Sequence, residues 1–135
     1  MVRDCKVKIK SSIVDDEGFM ELLSLGKVDD SDGNFTIEYE DAAETGVASL
    51  NRIVVSGDVV VLNRFGEHSS TMVFEKGRSF SCALSTPYGD FPLTVFSHTV
   101  DFRRTDSNAE LTLVYSIDVN GSMDVNELHL MAEYC

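Results

Sequence analysis

The chain has 135 residues, 43% of them hydrophobic and 25% charged, with 23 acidic against 11 basic side chains and a formal net charge of −12. That length and balance predict one domain over residues 1–135, burying roughly 68% of its unfolded-chain surface without metal or disulfide staples. The few scattered lysines and arginines exclude a counterion-releasing nucleic-acid surface and a patch for anionic membranes, so neither partner is expected.

No apolar run approaches the ~18 residues of a membrane span. The opening stretch MVRDCKVKIK alternates charged and apolar residues and lacks the apolar core of a secretory signal. Cys5, Cys82 and Cys135 are widely spaced and form no Cys-x-x-Cys, which fits a reducing compartment and argues against a disulfide framework or a zinc site. A cytoplasmic protein is the expectation. The acidity reads as surface solvation, with a basic protein partner as the second reading.

In chain order, short hydrophobic runs alternate with turn signals. Val7, Ile9, Ser11 and Ile13 share one face of a first strand, with Lys6, Lys8 and Lys10 on the other. A turn at Asp15-Asp16-Glu17-Gly18 leads into a second strand, and Asp32-Gly33 turns into a third, where Phe35, Ile37 and Tyr39 oppose Thr36, Glu38 and Glu40. An exposed loop follows over Glu40–Val47. Further turns stand at Ser56-Gly57-Asp58, Phe65-Gly66-Glu67, Lys76-Gly77, Pro87-Tyr88-Gly89-Asp90, Asp106-Ser107-Asn108 and Asn120-Gly121. Between Phe91 and Phe102 the apolar phase changes, which predicts a β-bulge near Phe96-Ser97. The last long run sets Leu111, Leu113, Tyr115, Ile117 and Val119 against Thr112, Val114, Ser116 and Asp118.

One apolar face per strand, with no amphipathic helix to cover it, predicts an all-β fold. The sheet must curl and bury that face against itself, giving a single antiparallel, mostly up-and-down β-barrel of about ten strands. A two-residue Asn120-Gly121 loop pairs Val119 with Ser122, Leu113 with Leu128 and Leu111 with Leu130. A three-residue loop with Gly77 left-handed pairs Met72 with Phe80. A Gly66-Glu67 loop sets Val61 against Met72 and Val59 against Phe74. With Tyr88-Gly89 as the loop, Cys82 falls opposite Val95. The glycines read as isolated turn punctuation, with no phosphate-cradling loop leading into a helix.

Three stretches carry a resemblance: Val61-Leu62-Asn63-Arg64-Phe65-Gly66, Met72-Val73-Phe74-Glu75-Lys76-Gly77, and Ser85 through Val95 with Pro87-Tyr88-Gly89-Asp90 at its centre. Followed by Leu111-Thr112-Leu113-Val114-Tyr115 and Asn126-Glu127-Leu128, this order resembles the uncharacterised bacterial YwiB-like family from Lys6 to about Met131. The resemblance implies a calycin-like (lipocalin-like) barrel. It implies no reaction and brings no catalytic or binding residues with it. The chain has no tryptophan for a lipocalin Gly-x-Trp. Turn and strand also occupy Val14–Leu25, where a fatty-acid-binding protein has its helical pair.

No cluster reads as a catalytic centre. On a regular strand Ser97 and His98 face opposite sides, as do His98 and Asp101, so the trio does not form a triad. Cys82, between Phe80 and Leu84, reads as a small core hydrophobe. Asp29-Asp30-Ser31-Asp32-Gly33-Asn34 fails the calcium ladder, because counting back from Gly33 puts Val28 first. His68, His98 and His129 have no metal-binding spacing. No cofactor, metal or catalytic residue is therefore expected. Polar positions on the apolar faces remain: Asn126 opposite Tyr115, and Asn63 between Val61 and Phe65. With Met72 and Phe80 they form the expected lining, Asn63, Met72, Phe80, Tyr115 and Asn126, of a non-catalytic barrel that binds a small apolar or amphipathic ligand inside. The alternative is a protein-interaction module with a packed interior, acting through its acidic surface or the Glu40–Val47 loop. A filled interior favours the second reading, and a cavity with an open mouth favours the first.

Overall fold

The period-two alternation folds into ten strands. A computed structural model describes residues 2–13, 18–31, 34–42, 48–65, 69–119 and 121–135. The strands are β1 (Val2–Ile13), β2 (Phe19–Ser31), β3 (Asn34–Ala42), β4 (Ala48–Ser56), β5 (Val59–Phe65), β6 (Ser70–Glu75), β7 (Ser79–Thr86), β8 (Gly89–Arg104), β9 (Asn108–Val119) and β10 (Ser122–Tyr134). They form one antiparallel sheet in the order β6-β5-β4-β3-β2-β1-β10-β9-β8-β7. The β1–β10 ladder joins the chain's first and last strands, from Cys5 opposite Tyr134 to Ile13 opposite Asn126. The result is a nearly closed up-and-down barrel, as expected. The predicted turn residues Asp15–Glu17, Asp32-Gly33, Gly66-Glu67 and Asn120, together with His68 and loop residues 43–47, lie outside the described residues.

The inner face fills the middle of the barrel. Val7, Ile37, Ile53, Val60, Phe74, Val95, Leu111, Leu113 and Leu130 are each at most 2% exposed and belong to one continuous core. Each such burial contributes about 1.5–3 kcal/mol. The β9–β10 register is the expected one, with Val119 opposite Ser122, Leu113 opposite Leu128 and Leu111 opposite Leu130. The β8 bulge also appears. The β8–β9 ladder shifts between Ser97 and Thr99, so Val95 and Ser97 point inward before it and Val100 and Phe102 after it.

Three registers differ from expectation. β5 pairs with β6 as Val60–Phe74 and Leu62–Met72, one residue away from Val61–Met72 and Val59–Phe74. That register buries Val60 (1% exposed) and Phe74 (0%) on the same face. β7 pairs with β8 as Cys82–Leu93, because the two-residue turn is Pro87-Tyr88, closed by Thr86 opposite Gly89. The shift from Val95 is two residues, so every side chain keeps its face.

The third difference leaves a seam. Gly77 is left-handed (φ 78°) as predicted, and the Arg78 N–H donates to the Glu75 carbonyl at 3.0 Å. Yet among the described residues β6 and β7 share no ladder, and Met72 does not pair with Phe80. Gly77 N–H donates to Ser97 O (2.8 Å) and Ser97 N–H to Arg78 O (3.1 Å), so the bulged strand β8 draws the start of β7 to itself. β6 stays with β5. The two edges meet again where Ser69 and Ser85 exchange main-chain hydrogen bonds of 3.0 and 2.8 Å.

Gly26 is not turn punctuation. It lies inside β2, where a Cβ would stand 2.4 Å from the Glu38 carbonyl oxygen. A glycine within a strand often marks such a close backbone approach.

Candidate ligand-binding site

An up-and-down barrel brings alternate strand ends to the same rim. At the rim where β1 and β3 begin and β2, β8 and β10 end, a cavity of about 550 Å³ opens, within the range of small-molecule sites. Its apolar lining is Val28, Phe35 and Tyr134, and its charged lining is Arg3, Asp30, Arg104 and Asp106. Val28 is 3% exposed and Phe35 2%. The Phe35 ring and the Val28 methyls belong to the buried core and form the floor of the cavity.

The charges above that floor are arranged unevenly. Arg104 Nη1 is 2.6 Å from Asp30 Oδ2, and its guanidinium carbon lies 5.9 Å from the centre of the Phe35 ring. The Arg3 guanidinium sits 5.6 Å over the Tyr134 ring. Both contacts have cation–π geometry. Burial, and then the charge of Asp30, push the Tyr134 phenol above its ordinary value, while Arg104 and Arg3 pull the other way. The hydroxyl therefore stays protonated at neutral pH and can donate a hydrogen bond.

A second cavity of about 570 Å³ opens at the same rim, over Val55, Val60, Val100 and Phe102 with Glu75 and Arg78 among its charged walls. Arg78 Nε pairs with Glu75 Oε2 at 3.2 Å. Phe35 of the first cavity and Phe102 of the second touch, with ring centres 5.1 Å apart and planes tilted by 48°. The two rings stand as a partition between the cavities. A third cavity of about 560 Å³ follows the seam, lined by Arg64, Phe65, Val73, Cys82 and Ala83 among others.

None of the five residues expected from sequence lines these three cavities. Asn63 points outward: it pairs with the exposed Arg52, and its Oδ1 accepts a hydrogen bond from Thr71 Oγ1 at 2.8 Å. The β5 register turns it out, which corrects its placement on the inner face. Met72 and Tyr115 do point inward and pack against the core. The Tyr115 ring meets Phe74 edge-on at 4.9 Å, and burial pushes its phenol upward. Asn126 pairs with Tyr115 as predicted, and its Nδ2 donates to Asp124 O at 3.5 Å. Phe80 is half-buried opposite Val95. The polar atoms buried without a protein hydrogen-bond partner include Asn51 Nδ2 and Ser97 Oγ, both on the inner face and both unmarked by the sequence reading.

The remaining motifs are dispersed. Ser97 is fully buried, Asp101 bridges to Arg103 at 3.5 Å, and His98 Nε2 is 2.6 Å from Ser116 Oγ on the outer face. Burial pushes the Cys82 thiol up, and it pushes the fully buried Cys5 to about 11, with help from Cys135 and Asp4. Among the described residues no group of three or more His, Cys, Asp or Glu is placed to hold a metal ion. Among them, too, no helix is long and apolar enough to cross a membrane.

Arg3, Arg104 and Tyr134 were the residues that sequence reasoning missed. A signal was available, since with an even number of alternating strands the start of β1 and the ends of β8 and β10 must share one rim.

The fold is similar to that of the crystal structure of the ywiB protein from Bacillus subtilis. The likeness has a TM-score of 0.88 and covers 99% of this chain and 93% of that one, at 15% sequence identity. At that identity it speaks to fold alone. None of the curated proteins compared with the chain matches it. A family model matches residues 6–131, almost the whole barrel, and the chain belongs to the family described as Domain of unknown function (DUF1934).

Proposed function

We propose that the protein is a non-catalytic binding barrel that takes a small amphipathic molecule at the rim rather than in the middle. The observation that carries this reading is the cavity of about 550 Å³ whose buried floor, Val28 and Phe35, lies beneath two guanidiniums. An apolar floor with a few convergent polar groups is the usual make-up of a ligand site. The filled centre leaves Met72 and Tyr115 packed against the core. Native mass spectrometry of protein purified from its own host tests the proposal. A stoichiometric small-molecule adduct, lost on denaturation, is the expected result. A bare polypeptide mass at every concentration, with no shift in thermal midpoint against amphipathic dyes, contradicts it.

A second reading has its own observation. Val54, Val61 and Val73 are register partners across β4, β5 and β6 on the outer face, and Leu50 (36% exposed) and Phe65 (46%) pair on the same face beyond Arg52 and Asn63. An outer apolar row of this kind suits a protein partner. It supports an interaction module working through that face rather than through the acidic surface.

A further inference from the structure

We propose that the Arg3 side of the rim cavity selects small organic anions with a flat apolar body, such as an aromatic carboxylate or sulfonate. The inference rests on the rim being a binding site and names the chemistry that this site accepts. The cavity is lined by two guanidiniums and two carboxylates, Asp30 and Asp106, and Arg104 is paired with Asp30 at 2.6 Å. Arg3 faces the Tyr134 ring, and among the described residues no carboxylate bridges it. A guanidinium presents a rigid fork of donors that matches a carboxylate or sulfonate bidentately, and such charge-assisted bonds are stronger than neutral ones. The Tyr134 hydroxyl, protonated at neutral pH as phenols ordinarily are, adds a neutral donor at the same cavity.

The body of the ligand has its place as well. Val28 and Phe35 lie at the base of the same cavity, with the Phe102 ring in contact with Phe35 at its edge. A flat apolar group entering there packs against Tyr134, the half-buried ring of the lining, above Val28 and Phe35, which are already 3% and 2% exposed. The chain's net charge of −12 repels anions at long range. At physiological salt that field is screened beyond about 8 Å, so a guanidinium in direct contact decides the local preference. A cationic or neutral ligand makes no charge-assisted bond to Arg3.

Two dyes that share a naphthylamine body separate the claims. 1-Anilinonaphthalene-8-sulfonate carries a sulfonate, and N-phenyl-1-naphthylamine is its neutral counterpart. Fluorescence titration of the intact protein is expected to show the ratio of their affinities falling about tenfold in the Arg3→Gln variant, through loss of sulfonate binding alone. Arg3→Lys should restore part of the ratio, because a point charge replaces the fork. A ratio unchanged by Arg3→Gln, or a loss falling equally on both dyes, overturns anion selection and leaves the rim reading standing. No binding of either dye to the wild-type protein overturns both. Circular dichroism of the variants, expected to match the wild type because Arg3 is exposed, keeps misfolding out of the comparison.

Discussion

Phe74→Ala is expected to lower the unfolding free energy by about 3–5 kcal/mol, the largest effect of any single truncation in the barrel. The side chain is 0% exposed, lies opposite Val60 (1% exposed) in the β5–β6 ladder, and meets Tyr115 edge-on. Its removal deletes a large buried surface and leaves a hole, because β6 is tied to β5 on one side only and the core beneath it is already filled. Against a total stability of about 5–15 kcal/mol, such a loss brings the protein near its threshold. Phe74→Leu, which keeps most of the volume, should cost roughly half as much or less. Urea unfolding monitored by circular dichroism measures both. A Phe74→Ala loss below about 1 kcal/mol would show that the middle of the barrel is not packed.

Gly26→Ala is the second large effect, expected at about 3 kcal/mol, at the upper end of ordinary overpacking costs. The new methyl would stand 2.4 Å from the Glu38 carbonyl oxygen, 3.0 Å from Val7 Cγ2 and 3.3 Å from Tyr39 Cβ. The first of these is backbone and cannot rotate away. The strain falls where the β2–β3 ladder starts, at Gly26 opposite Tyr39. Gly18→Ala is the matched control, since nothing lies within 4 Å of a Cβ there. It should stay within about 0.5 kcal/mol of the wild type. Equal thermal midpoints for the two variants would contradict the close approach of β2 and β3.

The ease of reading each part of this fold from sequence follows from where its information is stored. The β9–β10 register was legible because both strands alternate cleanly about one short turn, so a single slip would put Leu128 and Leu130 on the opposite face from Leu111 and Leu113. β5 offered no such check. Val59-Val60-Val61-Leu62 is apolar on both faces, so either register looks acceptable until Phe74 and Val60 are seen to bury together. The β8 bulge announced itself by a change of phase. The seam did not, because whether β7 pairs with β6 or is drawn to the bulge at Ser97 and His98 depends on contacts remote in sequence.

The site was less legible than the scaffold, for a related reason. A rim cavity is assembled from strand ends, and its residues are isolated in sequence: Arg3 near the start, Asp30 and Phe35 around a turn, Arg104 before another, Tyr134 near the end. None forms a motif. Asn63 and Asn126 drew notice because they interrupt apolar runs, yet one faces outward and the other, opposite Tyr115, bonds locally to the Asp124 carbonyl. Polarity within a strand marks a position that needs a partner. It does not say whether that partner is a ligand.

The central claim, a filled barrel that binds at its rim, is tested most directly by mapping a bound probe onto the backbone. In a ¹⁵N–¹H titration with 1-anilinonaphthalene-8-sulfonate, the amide signals of Arg3, Val28, Asp30, Phe35 and Thr105 should move together and saturate. Those of Ile53, Leu113 and Leu130 in the middle should stay in place. Shifts centred on Leu113, Tyr115 and Leu130, with the rim unmoved, would contradict the account and put the ligand inside the barrel.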